Sequence, residues 1–266
     1  MMVGFFLGSA SGAFDWLLML HITIGTLMTA AGTSAHNQYI ERDLDGKMKR
    51  TRTRPLPLQK IAPARALLFS SGMMLFGLAY LMVWVNPVAA AVSAVTSILY
   101  LAFYTPLKRI SFANVFVGAI PGALPPVGGW AAASGNISDP GMWMLFGIVF
   151  FWQIPHVVSI GWLCDEDYTG AGFKMLPKGR FATPIIHTSI FGSLAGLVAV
   201  STLLFFAGLN SWLYLTISLL LGAMFLYYAI RFVTGPERLS ARKLMFASLI
   251  YLPAVWIAII ADRLIL

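Results

Sequence analysis

Charge is what this sequence lacks most. Only 11% of its 266 residues are Asp, Glu, Lys or Arg, against about a quarter in soluble domains. With 59% of positions apolar, that deficit excludes a soluble enzyme and, still more firmly, a disordered chain. There is one cysteine, Cys164, which excludes an intrachain disulfide and any metal cluster built on several thiolates. Regular alternation of polar and apolar residues is missing, so lipid-facing β-strands are excluded. The apolar start, Met1 to Ala13, has no basic region before it and so is not a secretory signal. It is also too short to span a bilayer, and we expect it to be the tail end of a helix whose first half is missing.

What is present in quantity is apolar length. Crossing hydrocarbon takes about 20 residues of helix, and eight runs are long enough: roughly 16–36, 66–85, 87–104, 111–133, 142–163, 185–208, 211–230 and 244–262. The class expected is an all-α polytopic membrane protein, with the whole chain, 1–266, forming a single membrane domain. Loop 37–65 carries eight basic residues, loop 105–110 carries Lys108 and Arg109, loop 164–184 carries three and loop 231–243 four, which is 17 of the 18 Lys and Arg. With eight spans these four loops share one side of the membrane, and the positive-inside rule makes that side cytoplasmic. Loops spread over four short segments are not the basic face of a nucleic-acid binder.

Proline and glycine mark irregular stretches within two spans. Ile120-Pro121-Gly122-Ala123-Leu124-Pro125-Pro126 and Gln153-Ile154-Pro155-His156 read either as broken helix lining a cavity or as simple kinks packed against neighbours. Gly118, Gly122, Gly128 and Gly129 suit close helix packing.

Six of the ten acidic residues fall in two clusters at span ends. In the first, Asn37, Glu41 and Asp45 recur every fourth residue and therefore stack on one face of a helix. Like charges in that arrangement repel unless a cation joins them, and three oxygen donors suit a hard divalent ion. Asp43 points elsewhere and is read as solvated or paired with Lys47. The second cluster is Asp165-Glu166-Asp167. Beside the first runs Arg50-Thr51-Arg52-Thr53-Arg54, with Lys108-Arg109 as a second basic pair. Arginine forks fit phosphate oxygens, and Mg²⁺ is commonly held by one or two carboxylates plus substrate phosphates. Carboxylates for magnesium beside cations for anionic oxygens form the apparatus for a diphosphate.

Several of these segments together resemble the UbiA superfamily of intramembrane prenyltransferases: Asn37-x3-Glu41-x3-Asp45, Met48-x-Arg50-Thr51-x2-Arg54-Pro55, Tyr104-Thr105-Pro106-Leu107-Lys108-Arg109 and Asp167-Tyr168. Gln153-x-Pro155-His156 and Asp167-Tyr168-x2-Ala171-Gly172-x2-Met175-Leu176-Pro177 resemble its heme-farnesylating branch. The resemblance runs from about residue 4 to the C-terminus. It departs in Glu41, where most members carry Asp, and in its eight complete spans plus an incomplete N-terminal one, where the family usually has nine. It implies a UbiA-type helical bundle in a bacterial inner membrane. The implied reaction converts farnesyl diphosphate, heme B and water to heme O and diphosphate, with Mg²⁺ as cofactor. It also implies contact with heme A synthase or oxidase assembly factors.

By the same resemblance, Asn37, Glu41, Asp45 and Asp167 are catalytic, and these four with Glu166 hold the metal. Arg50, Arg54, Lys108 and Arg109 bind diphosphate. His156 and Tyr168 are read as heme contacts, His156 because an ionisable residue at membrane depth is functional as a rule; the rival reading for it is a neutral His bonded to a facing helix. Tyr168 and Tyr39 shield a carbocation or belong to an interfacial aromatic belt. His36 is read as orienting Asn37. Two other functions compete: prenylation of a quinone precursor or chlorophyllide within the superfamily, and secondary transport, which broken helices suggest but acids confined to one membrane face do not.

Overall fold

The computed structural model describes residues 1–9 and 14–265, so residues 10–13 of the apolar start lie outside the described residues. Among the described residues every regular element is helical, and eight helices are long and apolar enough to span a membrane. The chain divides into two compact units, Met1–Ile137 with Asp165–Met175, and Ser138–Cys164 with Leu176–Leu266.

The first unit contains α1 (Met2–Gly8), α2 (Trp16–Asp45), α3 (Pro63–Trp84), α4 (Pro87–Ile98), a π-helical stretch (Leu99–Tyr104), the short α5 (Thr105–Leu107), α6 (Asn114–Ser134) and α8 (Asp165–Ala171). Its helix starts are set by local chemistry. Asp15 accepts from Leu18 N–H at 2.9 Å, and Asn86 accepts from Ala89 N–H at 2.8 Å just before Pro87 opens α4. Both satisfy backbone donors that a helix N-terminus leaves unpaired. The Asn86 amide also donates to the carbonyls of Ala131 and Ala132 in α6.

Lipid is as apolar as leucine, so burial of side chains does not drive these helices together; close backbone approach does. α2 packs on α3 along a seam where a Cβ placed on Gly32 would sit 2.5 Å from the Met74 nitrogen. One on Gly77 would sit 2.6 Å from the Thr29 nitrogen. The short α1, buried through Val3, Phe5 and Leu7, packs on α6, where Gly129 meets the Met1 carbonyl.

The prolines leave α6 unbroken. Asn114–Ser134 is one helix through Pro121, Pro125 and Pro126, and Pro140–Leu163 is one helix through Pro155. Neither stretch is a broken helix: the turns on either side carry the helix across each missing N–H. Gly118 in α6 makes room for the Tyr104 ring, 2.5 Å from a Cβ there.

The second unit is a four-helix set: α7 (Pro140–Leu163), α9 (Ala182–Phe206), α10 (Trp212–Thr234) and α11 (Arg238–Ile265). α7 packs on α9 and α11, and α10 on the same two. Asp262, buried at the end of α11, closes the N-terminus of α10: it accepts from Ser211 N–H at 2.6 Å, Tyr214 N–H at 3.2 Å, the Asn210 amide at 3.1 Å and the Ser211 hydroxyl. A carboxylate there meets both the unpaired donors and the positive end of the helix dipole.

Candidate functional site

The site grows from the length of α2. Hydropathy alone ends that span near residue 36, but the helix continues to Asp45 and carries the first acidic cluster on one face of about two and a half more turns. Its buried residues run Ile22, Gly25, Thr29, Gly32, Thr33, Asn37, Glu41 and Asp45, so the polar stripe prolongs the packed face of the span. Asn37, Glu41 and Asp45 are 7%, 4% and 1% exposed. Carboxylates this buried require partners.

Each has one. Lys108, just after α5, forms an ion pair with Glu41. Arg54 Nη1 lies 2.7 Å from Asp45 Oδ2. The Asn37 amide donates to the Thr105 hydroxyl at 2.9 Å. Lys108 is itself buried, its ammonium 4.9 Å from the Tyr104 ring centre and 5.4 Å from that of Phe173. Burial pushes the Lys108 ammonium below the usual lysine range, and the Glu41 carboxylate beside it pulls it back up.

Local bonding explains how Arg54 returns to a residue nine positions earlier. After α2 the chain turns tightly, Thr51 N–H and Arg52 N–H bonding to the Met48 carbonyl and Arg54 N–H to that of Thr51. The Thr51 hydroxyl donates to the Asp45 carbonyl at 2.9 Å, capping the helix end. Met48 and Thr51 are buried beneath this turn.

The second acidic cluster opens α8 and borders the same turn. Lys49 N–H donates to Asp167 Oδ1 at 3.4 Å, and Arg50 Nη2 lies 3.4 Å from the Tyr168 hydroxyl. The segment after α8 is tied in as well: Lys174 N–H bonds to the Lys108 carbonyl at 2.7 Å, and Asn114 bonds to the Lys174 carbonyl at 2.9 Å. The structure therefore brings together Asn37, Glu41, Asp45, Arg54 and Lys108, with Arg50, Asp167 and Tyr168 at the edge. Glu166 and Arg109 are exposed.

Two neighbours can be set against expectation. Asp43 is exposed, as the solvated reading has it, and its ion contact is Arg42 Nε at 3.8 Å rather than Lys47. His36 does not orient Asn37; its ring meets Ser70 of α3 at 3.2 Å, because it sits one position off the buried stripe. Tyr104 and Thr105 stand within a segment that carries the resemblance but were given no role there, and Phe173 was not singled out; Pro106 is a further sequence sign, since it disturbs the helix just ahead of Lys108.

Could this stripe hold a divalent ion? Among the described residues no three acidic, imidazole or thiol side chains form a closed metal cage. The donors are instead amide and carboxylate oxygens of Asn37, Glu41 and Asp45 on one buried face, the hard-oxygen set that Mg²⁺ takes when substrate phosphates complete its shell. The residues fit such an ion.

In the second unit His156 Nδ1 is 2.7 Å from the Ser248 hydroxyl of α11, and its ring stacks on Trp152 at 4.9 Å. Trp152 Nε1–H donates to the Ser248 carbonyl. The imidazole is thereby held in one orientation by a facing helix.

The UbiA prenyltransferase family pattern matches residues 1–250. A protoheme IX farnesyltransferase of Solibacter usitatus is 41% identical over 94% of this chain and 85% of its own. Among solved structures, one from work on digeranylgeranylglyceryl phosphate synthase superposes with a TM-score of 0.80 over 99% of this chain and 91% of that one, at 18% identity. A UbiA homologue from Archaeoglobus fulgidus bound to DMAPP and Mg²⁺ gives 0.66 over 97% and 92%, at 16% identity.

Proposed function

The chain belongs to the UbiA prenyltransferase family, and we propose that it farnesylates heme B. In this reaction the C1–oxygen bond of farnesyl diphosphate breaks and diphosphate leaves with the bonding pair. A heme vinyl carbon bonds to C1, and water adds to the adjacent carbon and loses a proton, giving heme O. The observation that carries the reading is the buried stripe Asn37–Glu41–Asp45 with Lys108 and Arg54 paired against it. Relatives of this length and similarity named for that reaction supply the acceptor.

In this reading Lys108 and Arg54 exchange carboxylate oxygens for diphosphate oxygens, and Arg50 and Arg109 add charge at the rim. Asn37, Glu41, Asp45, Asp167 and Glu166 are the residues that would hold Mg²⁺. When bound, the ion supplies positive charge against the leaving diphosphate. Fixed cations meet charge as it develops and need no reorganisation at that moment, which is how such a site lowers the barrier. The rings of Tyr104 and Tyr168 already lie beside cations, and their faces suit an allylic cation. His156, locked by Ser248 and Trp152, is assigned to the porphyrin. The four basic loops face the cytoplasm of a bacterial cell in this reading.

The test gives purified protein heme B, farnesyl diphosphate and Mg²⁺, with 4-hydroxybenzoate in a parallel tube. A heavier, more apolar heme is expected by mass spectrometry. Prenylated benzoate beside unchanged heme B would overturn the heme assignment and leave the family.

A further inference from the structure

Resting on the magnesium reading of the Asn37 stripe, we propose that Thr105 is a positioning residue: it dictates which end of the Asn37 amide is presented as a ligand. Thr105 is fully buried. Its hydroxyl lies 2.8 Å from the Tyr100 carbonyl oxygen and 2.9 Å from Asn37 Nδ2. A hydroxyl has one proton, and a carbonyl can only accept, so that proton is committed to Tyr100. Thr105 Oγ1 can then only accept from Asn37, which forces the amide NH2 toward Thr105 and turns Oδ1 away from it. Mg²⁺ takes oxygen ligands. A flipped amide would remove one and direct N–H groups at the ion.

The π-helical stretch builds this device. A threonine in α-register bonds back three or four residues, whereas Thr105 reaches five back, and its own N–H bonds to the same Tyr100 carbonyl. Pro106 accounts for the wide turn, since in α-register its ring would meet the carbonyl four residues earlier. Single π-turns of this kind recur at functional sites. His36, the residue before Asn37, is engaged with Ser70.

Removing groups that orient a metal ligand typically weakens the metal by about 10–100-fold. The probe is Mn²⁺, a spectroscopic substitute for Mg²⁺, titrated by electron paramagnetic resonance into purified protein with inorganic diphosphate. Thr105→Val, similar in shape but without the hydroxyl, is expected to weaken Mn²⁺ about tenfold or more, and Thr105→Ser to hold it within about twofold. The decisive arm is Asn37→Asp. Its two oxygens are equivalent, so there is no wrong end to present, and Thr105→Val in that background should change Mn²⁺ affinity less than about twofold. Folded Thr105→Val with wild-type affinity would overturn the proposal, and so would an equal loss in the Asn37→Asp background, which marks a merely structural role. If Thr105→Val fails to fold, Thr105→Ala against Thr105→Ser makes the same comparison, and equal affinities overturn it. Loss of heme farnesylation with this pattern intact removes the heme reading alone. A flat titration beside normal farnesylation removes the Thr105 role alone.

Discussion

Replacing Glu41 by Gln tests the central pair most directly. Glu41 and Lys108 are 4% and 8% exposed and in ion contact. The substitution keeps the shape and leaves a buried ammonium facing a neutral amide. Breaking a buried pair by deleting one partner costs about 3–5 kcal/mol. Lysine can escape by shedding its proton, which at pH 7 costs about 5 kcal/mol from an ordinary lysine pKa, so the loss is capped near that figure. Burial already holds Lys108 below 10.5, and the opposing upward pull comes from Glu41; without it the value falls further. Between that lowered value and the ordinary one, the unfolded chain binds more protons than the folded one. Stability therefore rises with pH in that window, and more so in Glu41→Gln. Thermal unfolding in nanodiscs should show a deficit that narrows as pH is raised from 7 toward 9.5. A Glu41→Gln/Lys108→Met double variant should lose less than the two single losses added, because the orphaned charge is gone. Strict additivity, or a deficit that does not change with pH, would refute the buried-pair reasoning. If Lys108 binds diphosphate as proposed, activity needs it protonated, and the alkaline limb should move to lower pH in Glu41→Gln.

Five further outcomes follow. Gly32→Val should lower stability by about 1–3 kcal/mol, because its Cβ meets the Met74 backbone at 2.5 Å. Gly72→Ala, with nothing within 4 Å, should be neutral or stabilising in the same melting assay. Asp262→Ala should cost about 2 kcal/mol or more by leaving the α10 donors unpaired, yet keep turnover below its new melting temperature. EDTA should abolish farnesyl transfer and Mg²⁺ restore it; turnover that persists in EDTA would remove the metal from the proposal. His156→Phe should raise the KM for heme B while leaving that for farnesyl diphosphate near wild type, and an equal rise in both would count against a heme contact.

What the sequence makes legible here follows from the solvent. In hydrocarbon a polar side chain is an exception, so Asn37, Glu41 and Asp45 stand out, and their four-residue spacing already states that they share a face. Apolar length likewise marks eight spans, because any helix that crosses needs about the same number of residues. Hydropathy does not record which apolar face meets a neighbour and which meets lipid, since both environments are equally apolar. The α2–α3 seam at Gly25, Gly32 and Gly77 was therefore invisible, although those glycines were in plain view. The basic residues mislead for a related reason. The positive-inside rule accounts for Lys108 as a loop charge, and only tertiary packing shows it buried under Tyr104 and Phe173 against Glu41. Thr105 is the extreme case. Its role depends on a carbonyl five residues back and an amide 68 residues away, and no local period of the chain encodes that meeting. The chemistry of this site was written in its exceptional residues, and its geometry in the ordinary ones around them.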